Sequence, residues 1–235
     1  MTKKYGIRRY TSLAMFAALA YASLFVVKIG GIGGFLTFDA KDAVITVAAF
    51  AYGPVAGCVI SVLVALLEMV TVSSTGIWGF IMNAIASATF AAAGSVVYFY
   101  IPKLKKTFSG AVVGLTLSVV LTTGVMLLMN LLITPIYTGM SVGTIAGMIP
   151  ALLLPFNLIK TVINAALVLV LYKPLATALR KARAIPAGSV SDGGDGSYRF
   201  GKREIIVLIS AVAVIAVCTV LLVVVFKGSI GFFGH

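Results

Sequence analysis

The sequence is poor in the residues that do chemistry in water. One histidine, His235, closes a chain of 235 residues, and 6 aspartates and glutamates stand against 18 lysines and arginines. A lone terminal histidine leaves no base for a Ser-His-Asp arrangement and no H-E-x-x-H metal site. No G-x-x-x-x-G-K-[ST] occurs, so the chain does not hydrolyse ATP by that route. Nor is there a series of carboxylates to pass protons across a bilayer. The 2 cysteines, Cys58 and Cys218, both lie in apolar runs and read as small hydrophobes rather than a disulfide framework or a metal site. What remains is a chain able to bind a solute but not to power its movement.

Charged residues make up 10% of the sequence, against roughly 25% in an ordinary soluble domain. Hydrophobic residues make up 61%, and the mean hydropathy is +1.14. A soluble fold of this size cannot hide that much apolar surface, so lipid is its solvent. Seven apolar segments follow, at about residues 11–27, 40–52, 55–70, 80–100, 111–133, 151–172 and 205–226. The second and third are short and are separated by Tyr52-Gly53-Pro54, where glycine favours a turn and proline starts a helix. The expected fold is an all-α integral membrane protein. Residues 1–183 form a six-helix membrane domain, 184–203 a Gly, Ser and Asp-rich cytoplasmic linker, and 204–235 an additional transmembrane helix. The N-terminus imitates a signal peptide, with A-x-A at residues 20–22, but its apolar run continues through Val27 and reads as a span.

The formal charge of +12 is accounted for by topology. With the N-terminus inside, one side of the membrane carries Lys3, Lys4, Arg8 and Arg9, then Lys103, Lys105 and Lys106. The same side carries Lys173, Arg180, Lys181, Arg183, Arg199, Lys202 and Arg203, fourteen of the 18 basic residues. Such a bias places the N-terminus in the cytoplasm of a multi-pass cell-membrane protein and, after seven spans, the C-terminus outside. A basic face toward anionic lipid headgroups explains the charge without nucleic acid.

Polar residues that lipid would not tolerate are the functional signal. Asn157, Lys160 and Asn164 are spaced by three and four, which puts them on one helical face. A charge at a helix centre costs roughly 2.5–3.5 kcal/mol on insertion scales. Either Lys160 snorkels and the asparagines join helices, or the three form a ligand-facing stripe. Other polar groups fall at the same level: Asn130 in the fifth span, Asp39 and Asp42 at the second, Glu68 closing the third, Trp78 and Asn83 at the start of the fourth. Trp78 also suits an interfacial anchor, and Glu68 a pairing with Lys41 or Lys28. The loop over residues 28–42 has four glycines with Phe35, Phe38 and Asp39, allowing close approach, stacking and hydrogen bonding. Together these describe a pocket, open to the outside, for a planar and neutral or mildly polar molecule. In the first span Ala14, Ala18 and Ala22 recur every four residues beside Ala17, a smooth face suited either to internal packing or to another helix.

The runs FLTFDAKDAVITVAAFAYGPVAG, STGIWGFIMNAIASATFA and ITPIY with PALLLPFNLIKTVINAAL resemble the riboflavin-binding subunits (S components) of energy-coupling-factor transporters. The likeness covers about residues 8–180. It implies six helices with both termini inside, no enzymatic activity and no cofactor, riboflavin being the transported ligand. It further implies that Asn157 and Lys160, with Asn130, hydrogen-bond the vitamin, and that the loop bearing Thr37, Phe38 and Asp39 closes over it. Ala14 and Ala18 match the face that docks on a membrane coupling subunit, itself bound to two cytoplasmic ATPases. The seventh span departs from the family pattern. Against this stand a binding subunit for another flavin or vitamin, a lipid-directed membrane enzyme using Asp39, Asp42 and Glu68, and a purely structural membrane partner.

Overall fold

Apolar runs broken by Gly-Pro and polar loops become α-helices in the computed structural model, which describes residues 2–26, 28–32, 35–181 and 202–225. The order is α1 (Thr2–Val26), β1 (Lys28–Ile32), β2 (Leu36–Asp39), α2 (Lys41–Tyr52), α3 (Pro54–Thr71), α4 (Gly76–Tyr100) and α5 (Phe108–Thr138). Then follow α6 (Val142–Met148), a π-helical turn (Ile149–Leu153), α7 (Leu154–Lys181) and α8 (Lys202–Val225). Among the described residues five segments are long and apolar enough to cross a membrane, namely Arg9–Val26, Pro54–Thr71, Gly76–Tyr100, Phe108–Thr138 and Val142–Tyr172. The second and seventh expected spans form as helices, but α2 has 12 residues and the apolar part of α8 is Ile205–Leu221, so neither meets that measure.

Brevity suits α2 because of where it sits. It packs against α1, α3, α4 and α7, and ten of its residues are buried, so α2 is the central post around which the longer helices stand. Alanines supply much of its surface, which lets the surrounding backbones come close. Gly53 turns the chain out of α2 at φ 101, a conformation glycine adopts without a Cβ penalty, and Pro54 opens α3. Between α4 and α5 the approach is closer still. A Cβ on Gly114 would lie 2.5 Å from the carbonyl oxygen of Gly94, so only glycine fits there. Phe50, Tyr98 and Tyr172 pack in the core away from the hairpin, with the two tyrosine hydroxyls hydrogen-bonded to each other. A buried tyrosine needs such a partner.

Three departures from the sequence reading position the site. The glycine-rich loop is an antiparallel hairpin, with Lys28 opposite Asp39 and Ile29 opposite Phe38. The sixth span begins at α7 but is preceded by α6 and the π turn, so a continuous apolar path runs from Val142. Finally, α8 is packed on α7, with Ile215 and Cys218 against the cluster that includes Ile163 and Phe156. The expected linker, 184–203, falls almost entirely outside the described residues, as does His235.

Candidate ligand-binding site

A cavity of about 280 Å³ opens at the hairpin end of the bundle. That is close to the lower bound of small-molecule pockets, roughly 300 Å³. Its mouth is formed by Phe35, Leu36 and Thr37 of the hairpin, by residues 72–75 between α3 and α4, and by Tyr137 of α5. Deeper walls come from Met82, Asn83, Met126, Asn130, Phe156 and Asn157, and Asp42, Thr122 and Thr161 lie among the lining residues of α2, α5 and α7. Apolar surface interleaved with many polar side chains suits an organic ligand that carries both apolar faces and hydrogen-bonding groups.

Lys160 is the best-defined polar group. Its Nζ donates to Thr37 O at 3.1 Å and to Asp39 Oδ2 at 3.0 Å, and the residue lines the cavity. An ammonium has three N–H groups, so the third remains for a ligand. Asp39 is 1% exposed and also takes Lys41 Nζ at 3.4 Å. Burial by itself pushes the Asp39 carboxyl up, but the ammoniums of Lys160 and Lys41 outweigh it and bring it down to about 2. Lys41 also donates to Glu68 Oε2 at 2.7 Å, and Asn83 Nδ2 donates to the same oxygen at 3.1 Å. The result is a chain of charges, Lys160, Asp39, Lys41 and Glu68, joining α7, the hairpin, α2 and α3. Buried ions of opposite sign compensate one another, which is how lipid tolerates them, while Asp39 Oδ1 makes no hydrogen bond within the protein. Of the pairings expected for Glu68, the one with Lys41 is formed.

The other expected site residues divide between lining the cavity and supporting its walls. Asn130 and Asn157 face it while also donating within their own helices, to Met126 O at 2.7 Å and Leu153 O at 2.8 Å. Thr37 and Asn83 also line it. Phe38 is instead buried in the apolar cluster beneath the hairpin, with Leu36, Ile145 and Phe156. Trp78 is half-buried on the first turn of α4 and is not among the lining residues. Asn164 sits one turn beyond Lys160 and does not line the cavity either. Its Oδ1 accepts from Ala43 N at 3.1 Å and its Nδ2 donates to Asp39 O at 3.1 Å, so it caps the start of α2 and pins the end of the hairpin. The stripe therefore divides, with Asn157 and Lys160 lining the cavity and Asn164 joining elements.

Sequence reasoning set Asp42 and Glu68 at the level of the pocket without counting them among its binding residues, and it passed over Thr122 and Thr161. A signal was present: Thr161 is one turn from Asn157, and Thr122 two turns from Asn130, continuing the same faces. Among the described residues no group of three or more His, Cys, Asp and Glu is placed to hold a metal ion. On α1, Ala17 is buried while Ala14, Ala18 and Ala22 are exposed, which leaves the small-residue face outside the bundle.

Comparison with known proteins gives a consistent result. The family described as "ECF transporter, substrate-specific component" matches residues 8–172. The riboflavin transporter RibU of Staphylococcus aureus (strain TCH60) is 26% identical over 182 residues, 74% of this chain and 93% of that protein. The solved S component of a bacterial ECF transporter superposes with a TM-score of 0.62 at 27% identity, covering 74% of this chain and 99% of the other.

Proposed function

The chain belongs to the substrate-specific component family of ECF transporters, a non-enzymatic multi-pass membrane protein, and from that premise we propose that it captures riboflavin at the outer face of the cell membrane. The observation that carries this reading is the cavity in which Asn130, Asn157 and the paired Lys160 face apolar walls beneath the hairpin. A flavin ring offers flat apolar faces to Met82, Met126 and Phe156, and edge acceptors and donors to the amides and the ammonium. The similarity to a riboflavin transporter supports the same ligand.

A membrane coupling subunit and two cytoplasmic ATPases complete the proposed transporter, since the chain has no phosphate-binding motif of its own. Ala14 and Ala18 are the proposed docking surface, and their exposure supports that role over internal packing. The hairpin end is placed outside and the basic loops inside, with Arg9 and Lys103 at the cytoplasmic surface.

A second reading, another vitamin, is favoured by Asp42 and Glu68 on the cavity wall, because carboxylates also suit a ligand rich in donors or positively charged. Purified protein titrated with riboflavin, followed by quenching of flavin fluorescence and with thiamine and biotin as competitors, separates the two. A saturable riboflavin site unaffected by the others supports the first reading; a site that takes thiamine or biotin and ignores riboflavin overturns it.

A further inference from the structure

We propose that the hydroxyl of Thr122 is a further ligand contact, one that receives the buried end of the bound vitamin. Hydroxyls on transmembrane helices usually bond to the carbonyl one turn back, which is cheap in lipid. Thr116, Thr138 and Thr161 in this chain all do so, at 3.0, 2.7 and 2.8 Å. Thr122 does not. It is 2% exposed, its Oγ1 has no hydrogen-bonding partner in the protein, and it lines the cavity. A buried hydroxyl left in that condition is costly, and a group that breaks this rule on the wall of a cavity is one that a water or a ligand can complete.

The position of Thr122 along its helix follows from two hydrogen bonds. Ser118 Oγ donates to Phe90 O at 2.7 Å, which fixes the level of α5 against the antiparallel α4. One turn toward the hairpin from Ser118 is Thr122, and one turn toward the hairpin from Phe90 is Ala86, another lining residue. Beside Ala86, Ser87 donates to Asp42 Oδ1. Thr122 and Asp42 are thus brought to one level, two turns below Asn130, at the floor of the cavity. A hydroxyl that both donates and accepts, at the level of the Asp42 carboxyl, suits the hydroxyl-bearing end of a neutral ligand, such as a polyol. This inference rests on the reading as a binding subunit but not on which vitamin is bound.

Thr122→Val keeps the shape and deletes the hydroxyl, and Thr122→Ser keeps the hydroxyl. Each purified variant is titrated with riboflavin, or with thiamine or biotin if the parent binds one of those instead, and its ligand-free melting temperature is measured. We expect Thr122→Val to bind about two- to tenfold more weakly, Thr122→Ser to remain near the parent, and the ligand-free Thr122→Val protein to melt at the same or a higher temperature. Unchanged affinity in Thr122→Val overturns the proposal. So does a lowered melting temperature in the ligand-free variant, which would reveal a structural partner for the hydroxyl and which is read even if none of the three vitamins binds. A parent that ignores riboflavin refutes the riboflavin reading alone.

Discussion

The ammonium of Lys160 lies 3.0 Å from Oδ2 of Asp39, across 121 residues of chain. This contact ties the hairpin to α7 at the cavity and removes the isolated charge that made the sixth span anomalous. Lys160 is therefore oriented by its partner before any ligand arrives, and such preorganisation lowers the cost of binding. Asn164 reinforces the tie from below through the carbonyl of Asp39.

Replacing Lys160 by methionine keeps the length and apolar bulk of the side chain and deletes its charge. If the ammonium donates to a ligand in a largely dry cavity, the loss is about 1–3 kcal/mol, or roughly 5- to 150-fold in affinity. Titration of riboflavin fluorescence against parent and variant measures it, and equal dissociation constants would remove Lys160 from the site. Combining the change with Asp39→Asn should lose less than the sum of the two, because the residues act as a pair.

The pairing also sets a pH dependence. Asp39 is lowered from 3.8 to about 2, so its contribution to stability is fully present above 3.8 and is lost only as the pH falls toward about 2. Riboflavin affinity should then be flat between about pH 5 and pH 8 as far as this carboxylate is concerned. A drop in affinity in that window that is abolished in Asp39→Asn would show that Asp39 is not held in its charged form.

Lys41 is 1% exposed and Glu68 4%, with 2.7 Å between their charged groups. Removing one member deletes a buried ion pair, at a cost of up to about 3–5 kcal/mol. Lys41→Met should therefore lower the melting temperature of the purified protein markedly, and Lys41→Met with Glu68→Gln should recover much of the loss. If the single variant melts with the parent, the Lys41–Glu68 pair is not structural.

The helices were legible from the sequence because lipid imposes long apolar runs, and Gly53-Pro54 marks the α2–α3 turn without ambiguity. The hairpin was not, since its glycines hide any alternation of side chains and its pairing arises from the backbone. Asn157 and Lys160 stood out because polar groups are costly in lipid. Thr122 did not, because a threonine in a membrane helix normally satisfies itself, and only the fold shows that this one does not. The central position of α2 was equally hidden: a 12-residue helix reads as a weak span until the four helices around it are seen.

Ala14→Leu and Ala18→Leu enlarge an exposed face on α1, and neither residue lines the cavity. Each should reduce vitamin uptake by cells several-fold or more while leaving riboflavin affinity of the purified protein near that of the parent, because added volume holds a partner helix away. Parallel losses of uptake and affinity would mean that these alanines support the pocket instead.

The last prediction concerns orientation. The 20 residues 182–201 between α7 and α8 could extend to about 70 Å at roughly 3.3–3.6 Å per residue, so chain length alone permits α8 to start on either side of the membrane. Charge decides: Arg183 and Arg199 lie within this segment and Lys202 and Arg203 follow it, and basic residues near span ends are retained in the cytoplasm. Ser191→Cys and His235→Cys, each in a background of Cys58→Ala and Cys218→Ala, can be treated with a membrane-impermeant maleimide. Ser191→Cys should be protected in intact cells and labelled once they are opened, and His235→Cys should be labelled from outside. Labelling of Ser191→Cys in intact cells would invert the topology, and with it the assignment of the hairpin end to the exterior.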